Sequence, residues 1–338
     1  MKVYINRATD PYENLASEEY LLEHEKEDVF LVWRNAPSVI IGKNQNAFAE
    51  VNLDFTRENQ IAVVRRLTGG GAVFHDLGNV NFTFISQKAG QEIDFSRFAA
   101  PIVDALGELG VDAFLSGRND LVVRTEDGEK KISGNAQCRF TAGDGSEKTM
   151  HHGTLLFDAD LSRLQGALNV DPTKLQSKGI RSVRSRVANL RDLLGDENAS
   201  MTVETFMDYL ASFASERYGV PICEFDGETK AGIARLSENK YATDEWNLGR
   251  CGNFDFENVK RFPFGKIELS LTVREGKIAD ALIRGDFFGT ADPVLITEGL
   301  RGIRYDRESV SKRLTELPVP ECVSGAAAED FVSVLFGE

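Results

Sequence analysis

Cysteine is scarce in this chain. Cys138, Cys223, Cys251 and Cys322 are the only four in 338 residues, and no two form a CxxC pair. The four histidines do not complete a metal-type spacing with them, so reduced thiols in a cytoplasmic protein are the simplest account. Long apolar runs are also missing. No stretch reaches the ~18 residues of a membrane span, and the start "MKVYINRATD" lacks a signal peptide's apolar core. Basic residues are outnumbered, 39 Lys and Arg against 53 Asp and Glu, for a formal net charge of −14. A protein whose main partner is nucleic acid needs a basic face, so this balance argues against that class. The phosphate-binding GxxxxGK[ST] loop and the GxGxxG fingerprint are both absent.

What is present is the composition of a soluble globular protein, 42% hydrophobic and 27% charged, long enough for two domains or one large one. Strands are expected at 2–7 and 29–34, with an amphipathic helix between them led by Asn14 or Ser17 as cap. The runs at 38–42 and 61–66 read as short buried strands. In 80–86, Val80, Phe82 and Phe84 alternate against Asn81, Thr83 and Ile85, the period of a strand. Residues 95–110 read as a helix interrupted near Pro101 and ended at Gly110. Further strands are expected at 119–123, 130–137 and 151–157, and helices at 202–219 and 228–242. The texture then changes, with strands at 266–273 and 277–288 and short helices over 291–338. The division expected is a large α+β domain over 1–246, a linker over 247–258 and a small α+β domain over 259–338.

Chemistry concentrates in "RRLTGGGAVFHDLGNVNFTFI", residues 65–85. Three consecutive glycines, each costing about 1 kcal/mol of conformational entropy relative to alanine, need a reason. Gly69, Gly70 and Gly71 make either a sharp turn between strands or a cradle for an anion, with Arg66 placed to offer two parallel hydrogen bonds to a phosphate. In "KKISGNAQ", strand alternation would set Lys131, Ser133 and Asn135 on one face with Ile132 turned to the core. Asp120 in "RND" reads either as a cap or as an oxygen ligand for Mg²⁺. His151 and His152 read more readily as hydrogen-bonded structural residues than as catalytic ones. Finally, 173–190 holds Lys174, Lys178, Arg181, Arg184 and Arg186 without one acid. It reads as a solvated loop or as a cationic flap over a phosphate-rich ligand.

Taken together, "RRLTGGGAVFHDLGNVNFTF", "SGRNDLVV", "KKISGNAQ", "HHGTLLFDADL" and "KGIRSVRSRVANL" resemble, in order and spacing, the lipoate–protein ligase A family in its bacterial long form. The resemblance extends from "WRNAPSVIIGKNQN" through "EWNLGR" into the C-terminal part, so it covers essentially the whole chain. It implies an α+β, mixed-sheet catalytic domain like that of biotin ligases and class II aminoacyl-tRNA synthetases, joined to an accessory domain. It also implies a two-step reaction, in which lipoate and Mg²⁺-ATP give lipoyl-AMP and pyrophosphate, and a lysine of an acceptor protein then takes the lipoyl group.

By the same resemblance, Arg66, Gly71, Ala72, Val73, Phe74, Lys131 and Lys178 are ATP- or lipoyl-AMP-binding positions. Gly70, His75, Asn79, Lys131 and His152 are assigned to lipoate, Lys131 is the catalytic charge clamp, and Asp120 is the metal position. Segment 173–190 matches the loop that closes over the adenylate, and Val39, Ile40 and Ile41 are expected to line the tunnel of the apolar tail. The implied cofactors are ATP and Mg²⁺. The implied partners are lipoate, with octanoate as a competitor, apo lipoyl domains of 2-oxoacid dehydrogenase complexes and the glycine cleavage H protein, with no nucleic acid and no membrane. Two rival readings are an octanoyltransferase of the same fold, which works through a cysteine thioester, and a non-catalytic binder of lipoate or its adenylate. No cysteine falls at the motifs' catalytic positions, and Cys138 reads as a packing residue.

Overall fold

The computed structural model describes residues 1–88, 93–117, 119–160, 164–168, 187–249 and 254–336. Its largest sheet takes in β1 (Lys2–Ile5), β2 (Val29–Arg34), β6 (Asn79–Ser86), β7 (Ala113–Ser116), β8 (Asp120–Thr125), β9 (Gly128–Thr141), β10 (Glu147–Leu156) and β11 (Ile222–Cys223). Their spatial order is β11-β1-β2-β6-β10-β9-β8-β7. The first three run parallel and the remaining pairs are antiparallel, so the sheet is mixed.

Strand alternation decides what each face of this sheet does. Val80, Phe82 and Phe84 pack with Phe98, Ile102 and Leu106 of the Phe95–Glu108 helix and with Phe206 and Leu210 of the Val203–Tyr218 helix. Each such side chain contributes roughly 1.5–3 kcal/mol by leaving water. The opposite face is covered by the Pro11–His24 helix and by a second sheet, ordered β4 (Ala62–Arg65), β3 (Ser38–Ile41), β5 (Val73–His75). There Ile85 joins Leu15, Leu31, Trp33 and Met150 in an apolar cluster, but Asn81 and Thr83 on the same face are buried and polar. Burying an amide and a hydroxyl is unfavourable unless they are hydrogen-bonded, and the site lies there.

Several local expectations are corrected. Neither Asn14 nor Ser17 caps the first helix. Asp10 does, its Oδ1 accepting from the N–H groups of Tyr12 and Glu13, and both other residues are buried within the helix. The helix over 95–108 continues through Pro101, because the face formed by Phe98, Ile102 and Leu106 is fully packed and outweighs one lost backbone bond. It ends as the glycine indicates, with Gly110 at φ +79°. The strand expected over 277–288 stops at Gly285, which leaves Phe287 and Phe288 outside it.

Residues from Phe262 onward build a core of their own. The sheet of β12 (Phe256–Phe262), β13 (Gly265–Arg274) and β14 (Lys277–Gly285) packs Ile267, Leu269 and Leu271 against the helices Val294–Leu300, Arg307–Thr315 and Ala328–Leu335. Within the large domain, Arg65 ties residues 42–45 to residues 246–247. Its guanidinium donates to the carbonyls of Gly42, Lys43 and Gln45 on one side and of Trp246 and Asn247 on the other. Among the described residues no helix is long and apolar enough to cross a membrane.

Candidate active site

Between the polar face of the large sheet and the β3–β5 sheet lies a cavity of about 170 Å³. Its floor comes from neighbouring strands in register. Trp33 of β2 lies opposite Asn81 of β6, Asn81 opposite Thr154 of β10, and Gly153 of β10 opposite Asn135 of β9. The roof is Ile40, Gly70, Gly71, Ala72, Val73 and His75. Of the residues singled out by sequence, Arg66, Gly70, Gly71, Ala72, Val73, His75, Lys131 and His152 line this one cavity.

Four do not. Phe74 turns the other way with Val39, into the cluster around Ile41 and Val51, so of the three residues expected along the tail tunnel only Ile40 lines the cavity. Asn79 stands behind the wall, its Nδ2 donating to Asn81 Oδ1 at 2.8 Å. Asp120 is the ion-pair partner of Lys131, its Oδ1 2.8 Å from Nζ. Lys178, with all of 173–186, lies outside the described residues.

The glycine run divides its work. A Cβ on Gly69 would lie 2.2 Å from the Phe287 carbonyl oxygen, and one on Gly70, at φ +89°, would meet the Phe288 ring at 2.8 Å. Nothing stands within 4 Å of where a Gly71 Cβ would be. Two glycines therefore admit the small domain against the loop, and the third, which lines the cavity, has open space around it.

Arg66 is buried beneath this loop. Nε donates to Thr68 Oγ1, Nη1 to the Ile40 carbonyl, and Nη2 to the carbonyls of Gly69 (2.6 Å) and Gly71 (2.8 Å). The pair of donors expected to face a phosphate thus holds the loop itself. Burial lowers its pKa to about 10, which leaves it charged at neutral pH. The two arginines side by side have separate tasks, Arg65 joining residues 42–45 to residues 246–247 and Arg66 under the loop.

A polar chain runs on from Arg66. Thr68 Oγ1 is 2.7 Å from His152 Nε2, and His152 Nδ1 is 2.8 Å from Glu18 Oε1, which also accepts from Thr83 Oγ1 at 2.6 Å. Thr68 Oγ1, which accepts from Arg66 Nε, thus links the arginine to His152 and through it to Glu18. The Trp33 indole N–H donates to Thr83 and fixes the end of the chain. His75 is held by Asn35, whose Nδ2 lies 3.1 Å from Nδ1, and Asn35 is in turn held by Asn14. Burial, with the Arg66 charge and His152 nearby, pulls its pKa down to about 3. His75 is therefore a neutral imidazole with its proton on Nε2.

Strand β9 presents Lys131 by an irregularity. Leu121 pairs with Ser133 but Val122 pairs with Lys131, so Ile132 is an extra residue and the strand bulges. The bulge breaks the simple alternation expected for Lys131, Ser133 and Asn135. Lys131, Gly134 and Ala136 reach the cavity together with Asn135, while Ser133 is fully buried away from it. Gly134 has no side chain where the Lys131 ammonium rests, 3.0 Å from the would-be Cβ.

Sequence reasoning did not single out Glu18, Trp33, Asn119, Thr154 or Phe288. Glu18 had a signal, an acid between Leu15 and Leu22 on the buried stripe of a helix. Phe288 had none, because the small domain brings it from more than a hundred residues away. Among the described residues no three His, Cys, Asp or Glu side chains form a metal-type group.

Comparison with known proteins gives this geometry a context. A family model described as "Lipoyl protein ligase A/B catalytic domain" matches residues 10–214, and one described as "Bacterial lipoate protein ligase C-terminus" matches residues 252–335. The lipoate-protein ligase LplJ of Bacillus subtilis is 43% identical over 336 residues, 97% of each chain. The structure of P. falciparum LipL1 in complex with lipoate superposes with a TM-score of 0.77 at 26% identity, covering 98% of this chain and 97% of that one. A lipoate-protein ligase A bound with ATP superposes with a TM-score of 0.58 at 26% identity, covering 73% of this chain and 98% of that one.

Proposed function

Because the chain belongs to the lipoate–protein ligase family, we propose that it is an ATP-dependent ligase that activates lipoate to lipoyl-AMP and transfers the lipoyl group to protein lysines. The observation that supports this most directly is the meeting of Lys131, the open Gly71 and the neutral His75 around one cavity. In the first step an oxygen of the lipoate carboxylate bonds to the α-phosphorus of ATP and pyrophosphate leaves. In the second, the acceptor's ε-amine attacks the acyl carbon, AMP departs with the bonding pair, and the amine loses a proton.

Lys131 stabilises the negative charge that grows on phosphate and acyl oxygens, which is the largest contribution protein groups make to such transfers. Its partner Asp120 keeps the ammonium at the cavity edge before ligand arrives. Arg66 holds the carbonyls of Gly69 and Gly71 and so fixes the conformation of the loop over the cavity. Asp120 is more than a third exposed beside Lys131, and Mg²⁺ in nucleotide sites is held by one or two carboxylates together with substrate phosphates, so Asp120 would be the protein's ligand to Mg²⁺. When bound, Mg²⁺ would neutralise phosphate charge.

The acceptors we assign are apo lipoyl domains of 2-oxoacid dehydrogenase complexes and the glycine cleavage H protein. Octanoate is the alternative acid and the cytoplasm the compartment. A thioester route is not supported by the described cysteines. Cys138 lies outside the cavity lining and burial pushes its thiol up to about 12. The test is lipoate-dependent release of pyrophosphate from ATP by the purified protein without any acceptor. Pyrophosphate in proportion to bound lipoyl-AMP supports the reading, and none at saturating lipoate and ATP overturns it.

A further inference from the structure

A second, larger cavity of about 850 Å³ lies between the two domains, walled by Phe95, Leu115, Phe262 and Phe264. Among the described residues it shares one lining residue with the site cavity, Phe288. At about 170 Å³, the site cavity falls well below the ~300–1,000 Å³ usual for small-molecule sites. A single side chain thus stands between a tight cavity and a wide one, both lined mostly by apolar surface.

That side chain is held by its packing. Phe288 is 3% exposed and packs edge-on against Phe95, ring centroids 5.6 Å apart at 71°. It clusters with Ala136, which lies opposite His152 in the β9–β10 register. The ring therefore stands over the His152 end of the site cavity. Its neighbour Phe287 is anchored to the glycine loop, the Phe287 carbonyl accepting from Gly70 N–H at 3.1 Å. A ring fixed by backbone contact and by another ring acts as a wall, since shifting it disturbs both.

We propose that Phe288, contributed by the small domain, is a specificity-determining residue that limits the size of the carboxylic acid activated at the site. The proposal rests on the ligase reading above and deepens it. Removing the ring joins the site cavity to the apolar space behind it, where an alkyl chain longer than lipoate's is accommodated between Phe95, Leu115 and Phe264.

The test is pyrophosphate release with lipoate, octanoate, decanoate and palmitate, measured as kcat/KM for wild type, Phe288→Ala, Phe288→Leu and Leu115→Ala. Pockets discriminate by ~10–200-fold for changes of one methylene. Phe288→Ala is expected to raise the ratio for palmitate over lipoate by at least ~10-fold, with Phe288→Leu between it and wild type. Leu115→Ala, which lines only the large cavity, is expected to keep the wild-type ranking. Equal losses for all four acids in both Phe288 variants, with no change of ranking, would show a merely structural ring and overturn the proposal. Wild-type protein that releases no pyrophosphate with any acid overturns the ligase reading instead, so the two failures are distinct.

Discussion

The backbone N–H of Gly70 donates to the carbonyl of Phe287 at 3.1 Å, so the loop that roofs the active site is also the loop on which the small domain rests. Catalytic geometry and domain docking share three consecutive residues, and substitution can separate the two.

Gly69→Ala places a methyl group 2.2 Å from a backbone oxygen of the small domain, which must move. Overpacking of this kind costs roughly 1–3 kcal/mol. Gly71→Ala meets nothing within 4 Å and is expected to leave stability within about 0.5 kcal/mol while lowering turnover, because the new methyl group enters the ligand's space. Urea denaturation beside pyrophosphate release checks both. Equal stability of the two variants would contradict the assignment.

Lys131→Ala should separate activity from folding in the same manner. The Lys131–Asp120 pair is more than a third exposed on both sides, so its loss changes stability by less than about 1 kcal/mol. Loss of one charge-stabilising contact lowers rate by ~10²–10³, which single-turnover formation of lipoyl-AMP would show. A folded variant with near-normal adenylate formation would remove Lys131 from the chemistry.

Arg66→Met is expected to affect both readouts. The carbonyls of Ile40, Gly69 and Gly71 lose their donor in a buried setting, at about 1–3 kcal/mol for a group left unsatisfied. The thermal midpoint should fall together with activity. If only activity fell, Arg66 would be a phosphate ligand and not the support of the loop.

What was legible in the sequence depended on how local each feature is. The alternation of Val80, Phe82 and Phe84 gave β6 and its core face, and Gly110 and Gly219 end their helices at φ +79° and +66°. The glycine loop, Lys131 and His152 were identified from motif order and come together in one cavity. Features that depend on pairing across distance were not legible. The bulge at Ile132 arises from register with β8, and the Arg66 hydrogen bonds come from how the loop folds back. Gly69 and Gly70 were read as a ligand cradle, whereas the Phe287–Phe288 segment that demands their missing side chains is remote in sequence.

Stability should fall with acidity through two buried histidines. Burial pulls His75 and His151 to about 3 from an ordinary value of 6.5, with the Arg66 charge adding to the effect on His75. Between those values the unfolded chain binds a proton at each ring and the native protein does not. Stability is therefore complete above about pH 6.5 and is lost as pH falls toward 3, by ~1.4 kcal/mol per pH unit for each histidine. Unfolding free energies from urea denaturation at pH 7 and pH 5.5 should differ by ~2.5 kcal/mol, and His151→Phe, which fills the space between Phe82 and Phe98, should reduce that difference by about half. A flat profile would mean that the rings are solvated or charged in the native state.

The central claim is ATP-dependent transfer of free lipoate to protein. Intact-mass measurement of an apo lipoyl domain incubated with this protein, lipoate and Mg²⁺, with and without ATP, tests it most directly. The account predicts the mass gain of one lipoyl group on one lysine only when ATP is present, together with AMP and pyrophosphate. Acylation without ATP from a carrier-bound octanoyl donor, and none from lipoate with ATP, would contradict it.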